Sequence, residues 1–388
     1  MNKFLNLYFI RLVLLFLILY GIFKISSCKT TNKEIETLSF NLNQPDPSLN
    51  VKINSIIRLE TLDNALIGEV TKIIFYDDKF YILDRMIGKS LFVFDKNGNF
   101  LSKAKRGRGP GECLDPWDFI IDPVNQTISL WDQASYQMIK YDLLLNYVDA
   151  DHYEGISIVN AEYMNDDSLL VFAQVQETAN KNSNNAYSNY TIYTNNMTKG
   201  NTMIATDRTL VNLTLDSPIC KTNRTIFVAP FDNNIYSFTN HKPIILYTLD
   251  FGKLNITQED IRKGISHVFN SARHRRKITS IDNLHENEKY LSFSFFYHNK
   301  LNFFIHSKET NKNYYSENIF QKRILPRCLI KGIVNDGDFL AISDPKDVKN
   351  FVSSELEPKI GEVDNPIIVI FSIQEMGYEK RKYEKENQ

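Results

Sequence analysis

Three features of the sequence predict an all-β fold, a six-bladed β-propeller of four-stranded antiparallel blades. Short runs of aromatic and β-branched residues, drawn in part from 20 tyrosines and 26 phenylalanines, alternate with polar residues and stop at Asp, Asn or Gly. That is the pattern of half-buried strands punctuated by turns. The runs also recur: Asp132 takes the place of Asp84, 48 residues on (84 to 132), and Asp142 that of Asp95, an interval that suits a propeller blade. Finally, the strand-like segment 51–60, "VKINSIIRLE", has no neighbour in sequence to pair with. A ring needs such a strand to join its first and last blades and leave no open edge.

The chain opens with "MNKFLNLYFIRLVLLFLILYGIFKISSC", in which Lys3 and Arg11 precede the apolar run from Leu12 to Phe23, and Ser26 and Ser27 precede Cys28. A positive region, a short apolar region and small residues at a cleavage site make a secretory signal. The "ISSC" end resembles a bacterial lipobox, which implies lipid attachment at Cys28; Ile25 stands where that pattern usually has Leu. Residues 1–28 are therefore read as a lipoprotein signal peptide. The alternative is an uncleaved anchor, since Phe4 to Phe23 is about long enough to span a bilayer. Both readings place the rest of the chain in the cell envelope, tethered and facing the periplasm or cell surface. Residues 29–49, rich in Asn, Pro and Ser, read as a short flexible tether; residues 50–375 as the propeller; and residues 376–388 as a charged C-terminal tail.

The blades follow in order. "KFYILDRMIGKSLFVFDKNGNFLS" (79–102) gives three strands of the first, with Asn97-Gly98 supplying the positive φ of a tight hairpin. "QTISLWDQASYQMIKYDLLLNYV" (126–148) repeats it. "DSLLVFAQ" with "SNYTIYTNNMTKGNTM" makes a third, "RTIFVAPFDNNIYSFTNHKPIILYTLDFG" a fourth and "KYLSFSFFYHNKLNFFIHSKETNKNYYS" a fifth. "DGDFLAISDP" with "NPIIVIFSIQ" makes the sixth. Each unit has a lead strand before it, such as Ile73-Ile74 or Phe119-Ile120. One helix is expected over 256–277, with Thr257 as its cap, Asp260 three residues later, and acids leading bases along the helix dipole.

The succession "YILD…FVFDKNGNFL", "RGRGPGE", "PWDFIID", "SLWD" and "IKYD", closing on "NPIIVIFSI", resembles the six-bladed propeller lipoproteins of Bacteroidetes, which are related to NHL-repeat propellers. The resemblance runs over roughly residues 50–373 and implies the fold and the envelope location. Because function in that family is largely unassigned, it implies little about activity.

Composition narrows the function classes. A formal net charge of −1 gives no global field for nucleic acid. Cys113, Cys220 and Cys328 are far apart and no C-x-x-C pair exists, so buried free thiols are expected. The seven histidines show no metal-ligand spacing, and there is no G-x-S-x-G elbow. No catalytic residue and no cofactor are therefore expected. The glycine-rich stretch "KAKRGRGPGEC" (103–113) lacks the Lys-Ser/Thr and following helix of a phosphate loop. It reads either as a crossing between blades pinned by Arg106 and Glu112, or as a site where Arg106 and Arg108 hold a carboxylate or sulfate. Trp117 and Trp131, the only tryptophans, read as core between blades or as a sugar-stacking platform. The basic run Arg273 to Lys277 reads as a solvated connection, with contact to anionic polysaccharide as the alternative.

The expected function is that of a membrane-tethered binding or scaffold module for a glycan, peptide or protein partner, with Arg106, Arg108, Glu112, Trp117 and Trp131 as ligand-binding candidates. The alternative is a metal-dependent, lactonase-like hydrolase. Six-bladed lactonases and gluconolactonases hold a metal in the central channel, and a propeller would bring Glu69, Asp118, Asn165 or Asp232 together there.

Overall fold

The computed structural model describes residues 35–40, 42, 49–153, 157–164, 168–177, 187–193, 199–205, 215–275, 277–298, 300–316, 329–334, 337–349, 361 and 364–375. Cys28, Asn165, Arg276, Cys328 and the tail 376–388 lie outside the described residues. Among the described residues, no helix is long and apolar enough to cross a membrane.

Six antiparallel sheets form the blades. Blade one comprises Lys72–Tyr76, Lys79–Asp84, Ser90–Asp95 and Phe100–Lys103 in that spatial order, and blade two Pro116–Asp122, Thr127–Asp132, Gln137–Asp142 and Tyr147–His152. Blade three is built from Ile158–Tyr163, Leu169–Glu177, Tyr187–Tyr193 and Lys199–Ala205. Ile219–Lys221, Thr225–Val228, Asn234–Thr239 and Lys242–Asp250 make blade four, and Thr279–Glu286, Tyr290–Tyr297, Lys300–Ser307 and Lys312–Ser316 make blade five. Blade six takes Leu329–Val334, Asp338–Ser343 and Ile367–Glu375 from the end of the chain and Leu49–Arg58 from its beginning. The register of that last pair runs from Leu49↔Glu375 to Arg58↔Ile367, and Arg58 adds an ion pair to Asp364 at 3.0 Å. The unpaired front strand thus closes the ring.

The repeat seen in the sequence is a repeat of hydrogen bonds. Asp84 and Asp132, both fully buried, end the second strands of blades one and two. Asp84 accepts from the backbone N–H groups of Gly68 and Ile87 at 2.7 and 2.9 Å; Asp132 accepts from those of Asp115 and Leu114 at 2.9 and 3.2 Å. Each carboxylate thereby ties the incoming connection to its own blade. Asp95 and Asp142 cap the last turns of the same blades, Asp95 through the N–H groups of Asn97 and Asn99 and Asp142 through those of Leu144 and Asn146. In blade one only Gly98 of the turn has positive φ, at 89°, and Leu145 holds the matching place in blade two at 62°. Leucine is strained in this region, and partial burial against the core between blades one and two accompanies it.

That core packs Tyr81, Leu91 and Val93 against Phe119, Leu130 and Tyr141, and similar apolar layers fill the spaces between the other blades. The departures from the sequence reading include the front segment and the helix. Within segment 29–49, Glu36–Ser39 forms a fifth strand beside Lys242–Asp250 of blade four. Leu38 there is buried, and the Phe40 ring stacks on Phe251 at 4.5 Å and meets Phe304 edge-on at 4.4 Å. Alternating apolar side chains, Leu38 and Phe40, explain why a polar-looking segment docks. The expected single helix is also two, Gln258–Arg262 and Ile265–Arg275, split by Gly264 at φ 93°. Its cap is as read: Thr257 accepts from Asp260 N–H at 3.2 Å and Asp260 from Thr257 N–H at 3.0 Å.

Candidate ligand-binding channel

The first strand of every blade lines the axis of the ring, and these six strands enclose a cavity of about 990 Å³. Its wall includes Lys72 and Tyr76 from blade one, Glu162 and Tyr163 from blade three, and His285 and Lys331 from blades five and six. Asp122 to Asn125 and Thr222, which belong to turns leading from first to second strands, also line it. The cavity therefore opens on the face that carries those turns. Loops leading from one blade to the next lie on the opposite face.

Several charges in the wall are already paired. Lys72 donates to Asp118 at 2.7 Å and to the Phe119 carbonyl at 2.8 Å. Asp118 also accepts from Ala161 N–H at 2.7 Å and Asn160 Nδ2 at 3.1 Å, joining three blades; burial nonetheless holds its carboxyl above the usual range. Glu286 is buried between Arg224 and Lys308, and although burial works to raise its pKa, those two cations outweigh it and hold the carboxyl low. Glu162 is different: confinement in the wall pushes it up to about 7 against the pull of Lys72 and Lys221. Burial lowers His285 to about 4 and also lowers Lys331. Cys220, half-buried in the wall, accepts from Glu286 N–H at 3.3 Å, and burial raises its thiol to about 12.

None of the five sequence-derived binding candidates lines this cavity. Arg106 and Arg108 are exposed on the opposite face and make no ion pair among the described residues. Glu112 does not pair with Arg106; its carboxylate turns inward and accepts from Gly109 N–H at 2.8 Å. A Cβ on Gly107 would sit 1.9 Å from that carboxylate, so glycine is needed there for close approach. Only Gly111 of the three has positive φ, at 73°, and Tyr147 leaves no room beside it. The loop is thus held by glycines and backbone, with the arginines outside it. Trp131 is fully buried between blades two and three and donates to Gln133 at 2.9 Å. Trp117, half-buried, donates to Asp115 at 2.9 Å and lies under the Arg85 guanidinium at 4.9 Å.

Two of the residues considered for a channel metal, Asp118 and Asp232, are engaged within the protein. Asp118 faces the Lys72 cation, and Asp232 accepts from the Asn234 amide and the Tyr236 hydroxyl. Among the described residues, no three His, Cys, Asp or Glu side chains come together as a metal site. Sequence reasoning missed the channel wall because Glu162, His285 and Lys331 lie in diverged blades with no local motif. Their only signal was polar residues at lead-strand positions, visible once the blades are aligned on Lys72.

The fold is shared with solved structures. The "Putative exported protein (BF0058)" of Bacteroides fragilis superposes with a TM-score of 0.72 at 19% identity, covering 88% of this chain and 99% of its own. A DUF4221-family member from Bacteroides vulgatus gives a TM-score of 0.53 at 8% identity, covering 84% of this chain and 99% of its own. No curated protein matches the chain. Residues 48–372 match the family model described as a domain of unknown function, DUF4934, and the chain belongs to that family.

Proposed function

We propose that this protein is an exported, lipid-tethered binding propeller that takes part of a glycan, peptide or protein partner into its central channel. The observation that carries the reading is the 990 Å³ cavity itself: it has the size of a small-molecule site and a mixed aromatic and polar wall. The paired state of Lys72, Asp118 and Glu286 supports binding over bond-breaking, since these groups hold the wall together. Export is supported by the leader and by the likeness to an exported protein of Bacteroides fragilis, and the lipid at Cys28 by the lipobox-like "ISSC".

The test is a glycan and peptide array probed with the purified protein, repeated with Tyr163→Ala, which strips an aromatic from the wall. Hits that weaken at least tenfold in the variant are expected. An array with no hits, or hits indifferent to every channel substitution, removes the reading.

A further inference from the structure

Four lysines among the described residues line the channel. Lys72 pairs with Asp118 and Lys140 with Asp151, both at 2.7 Å, and Lys221 donates to the Tyr163 carbonyl at 3.0 Å. Lys331 differs. Half-buried on the lead strand of blade six, it reaches the Thr71 carbonyl at 3.3 Å and forms no ion pair with a described residue. Three acids act on it through their fields. Asp282 spends its carboxylate on the N–H groups of Asp216, Ser217 and Asn283, Asp216 faces Arg85 at 3.8 Å, and Glu69 is exposed. Arg85 works against them, and His285 is uncharged at neutral pH.

An ammonium with one long carbonyl contact and no carboxylate is poorly solvated, and burial outweighs the three acids in lowering its pKa. Lys140 is the contrast, since the hydrogen bond to Asp151 holds its pKa up. A lysine kept as an ammonium by a carboxylate has no lone pair to give. One whose neutral form is favoured, in the wall of a cavity, is a nucleophile for carbonyl compounds.

We propose that Lys331 is a carbonyl-capturing residue of the channel, whose amine condenses reversibly with an aldehyde of the ligand. The nitrogen lone pair attacks the carbonyl carbon, the two amine protons leave with the carbonyl oxygen as water, and a C=N bond remains; no oxidant or reductant takes part. The inference rests on the channel being the ligand site, as proposed above. It narrows the partner to a glycan, because the open-chain form of a reducing end carries an aldehyde and ordinary amino acids do not.

The test treats the full-length protein in detergent at pH 7 with D-glyceraldehyde, the smallest aldose, and cyanoborohydride, which fixes each imine as a stable amine. Peptide mass spectrometry then reads the rate at every lysine. Lys331 is expected to be labelled at least fivefold faster than Lys140 or any exposed lysine, and its rate to level off at a lower pH than theirs. The fast phase should vanish in Lys331→Arg, which keeps the charge but not the nucleophile, and in Lys331→Met; melting curves establish that each is folded. Oxidised dextran, an aldehyde polymer too large for a cavity of 990 Å³, should label exposed lysines and spare Lys331. Labelling of Lys331 no faster than Lys140, or a fast phase that survives in Lys331→Arg, overturns the inference while leaving the channel as a candidate binding site. Labelling of Lys331 by dextran as fast as by glyceraldehyde puts the amine outside an enclosed channel and overturns both readings.

Discussion

At the scale of single residues, burial moves Glu162, His285 and Lys331 of the channel wall from their ordinary ranges. Glu162 shows the consequence for stability. Its carboxyl lies near 7 in the fold against about 4.5 when unfolded, so unfolding releases a proton between those values, and stability falls as pH rises through that window. Glu162→Gln removes the titration. The variant should match wild type near pH 4.5 and exceed it by up to about 3 kcal/mol at pH 8, the ceiling set by a shift of that size. His285, depressed to about 4, acts at the other end: the unfolded chain takes up a proton below its ordinary pKa, so stability is lost as pH falls from about 6.5 towards 4. Chemical denaturation of wild type and Glu162→Gln at pH 5 and pH 8 separates the two, and an equal difference at both pH values would contradict the assignment.

The scale of elements is where sequence and structure agree most closely. Asp84 and Asp132 were legible as equivalent because a buried carboxylate that ties several backbone N–H groups recurs with the blade. The closing strand was legible because 51–60 had no partner, and the Thr257 cap because its chemistry is local. The split at Gly264 was not, since one glycine in a helical pattern signals a break only when the chain turns there. Strand Glu36–Ser39 was missed because two apolar residues among polar ones gain their meaning from a distant aromatic pocket. The glycine loop was half legible: its turn is local chemistry, whereas the partner of Glu112 depends on a three-dimensional approach.

Two predictions belong to this scale. Gly111→Val forces a β-branched residue to φ 73° against the Tyr147 ring and should cost more than about 2 kcal/mol by combined strain and overlap. Arg106→Ala and Arg108→Ala, whose exposed side chains make no hydrogen bond or ion pair with a described residue, should stay within about 0.5 kcal/mol of wild type; denaturant midpoints of the three variants check the contrast. Deleting residues 50–60 removes the strand paired along Ile367–Glu375 and opens two sheet edges. Aggregation or a fall in melting temperature of ten degrees or more is expected, and a deletion that melts like wild type would argue against closure by this strand.

At the scale of the whole molecule, a closed ring explains why the channel wall is not legible as a motif in the sequence. Six lead strands converge on one axis, so residues separated by as much as the interval from Lys72 to Lys331 share a wall without sharing a motif. The candidates chosen from the sequence, Arg106, Arg108, Glu112, Trp117 and Trp131, cluster in one well-patterned stretch because that is where the repeat is clearest, and the fold puts them away from the channel. The address of the molecule is a separate matter. Cys28→Ser should abolish incorporation of labelled fatty acid and leave an unprocessed precursor, whereas unchanged labelling would remove the lipoprotein reading.

The central claim, that the channel is where a ligand is held, is tested most directly by a crystal structure of the protein with the strongest hit from the array. The account predicts ligand density inside the ring, in contact with Tyr163, His285 and Lys331. Density on the opposite face, against Trp117, Arg106 and Arg108 with the channel holding only water, would contradict it.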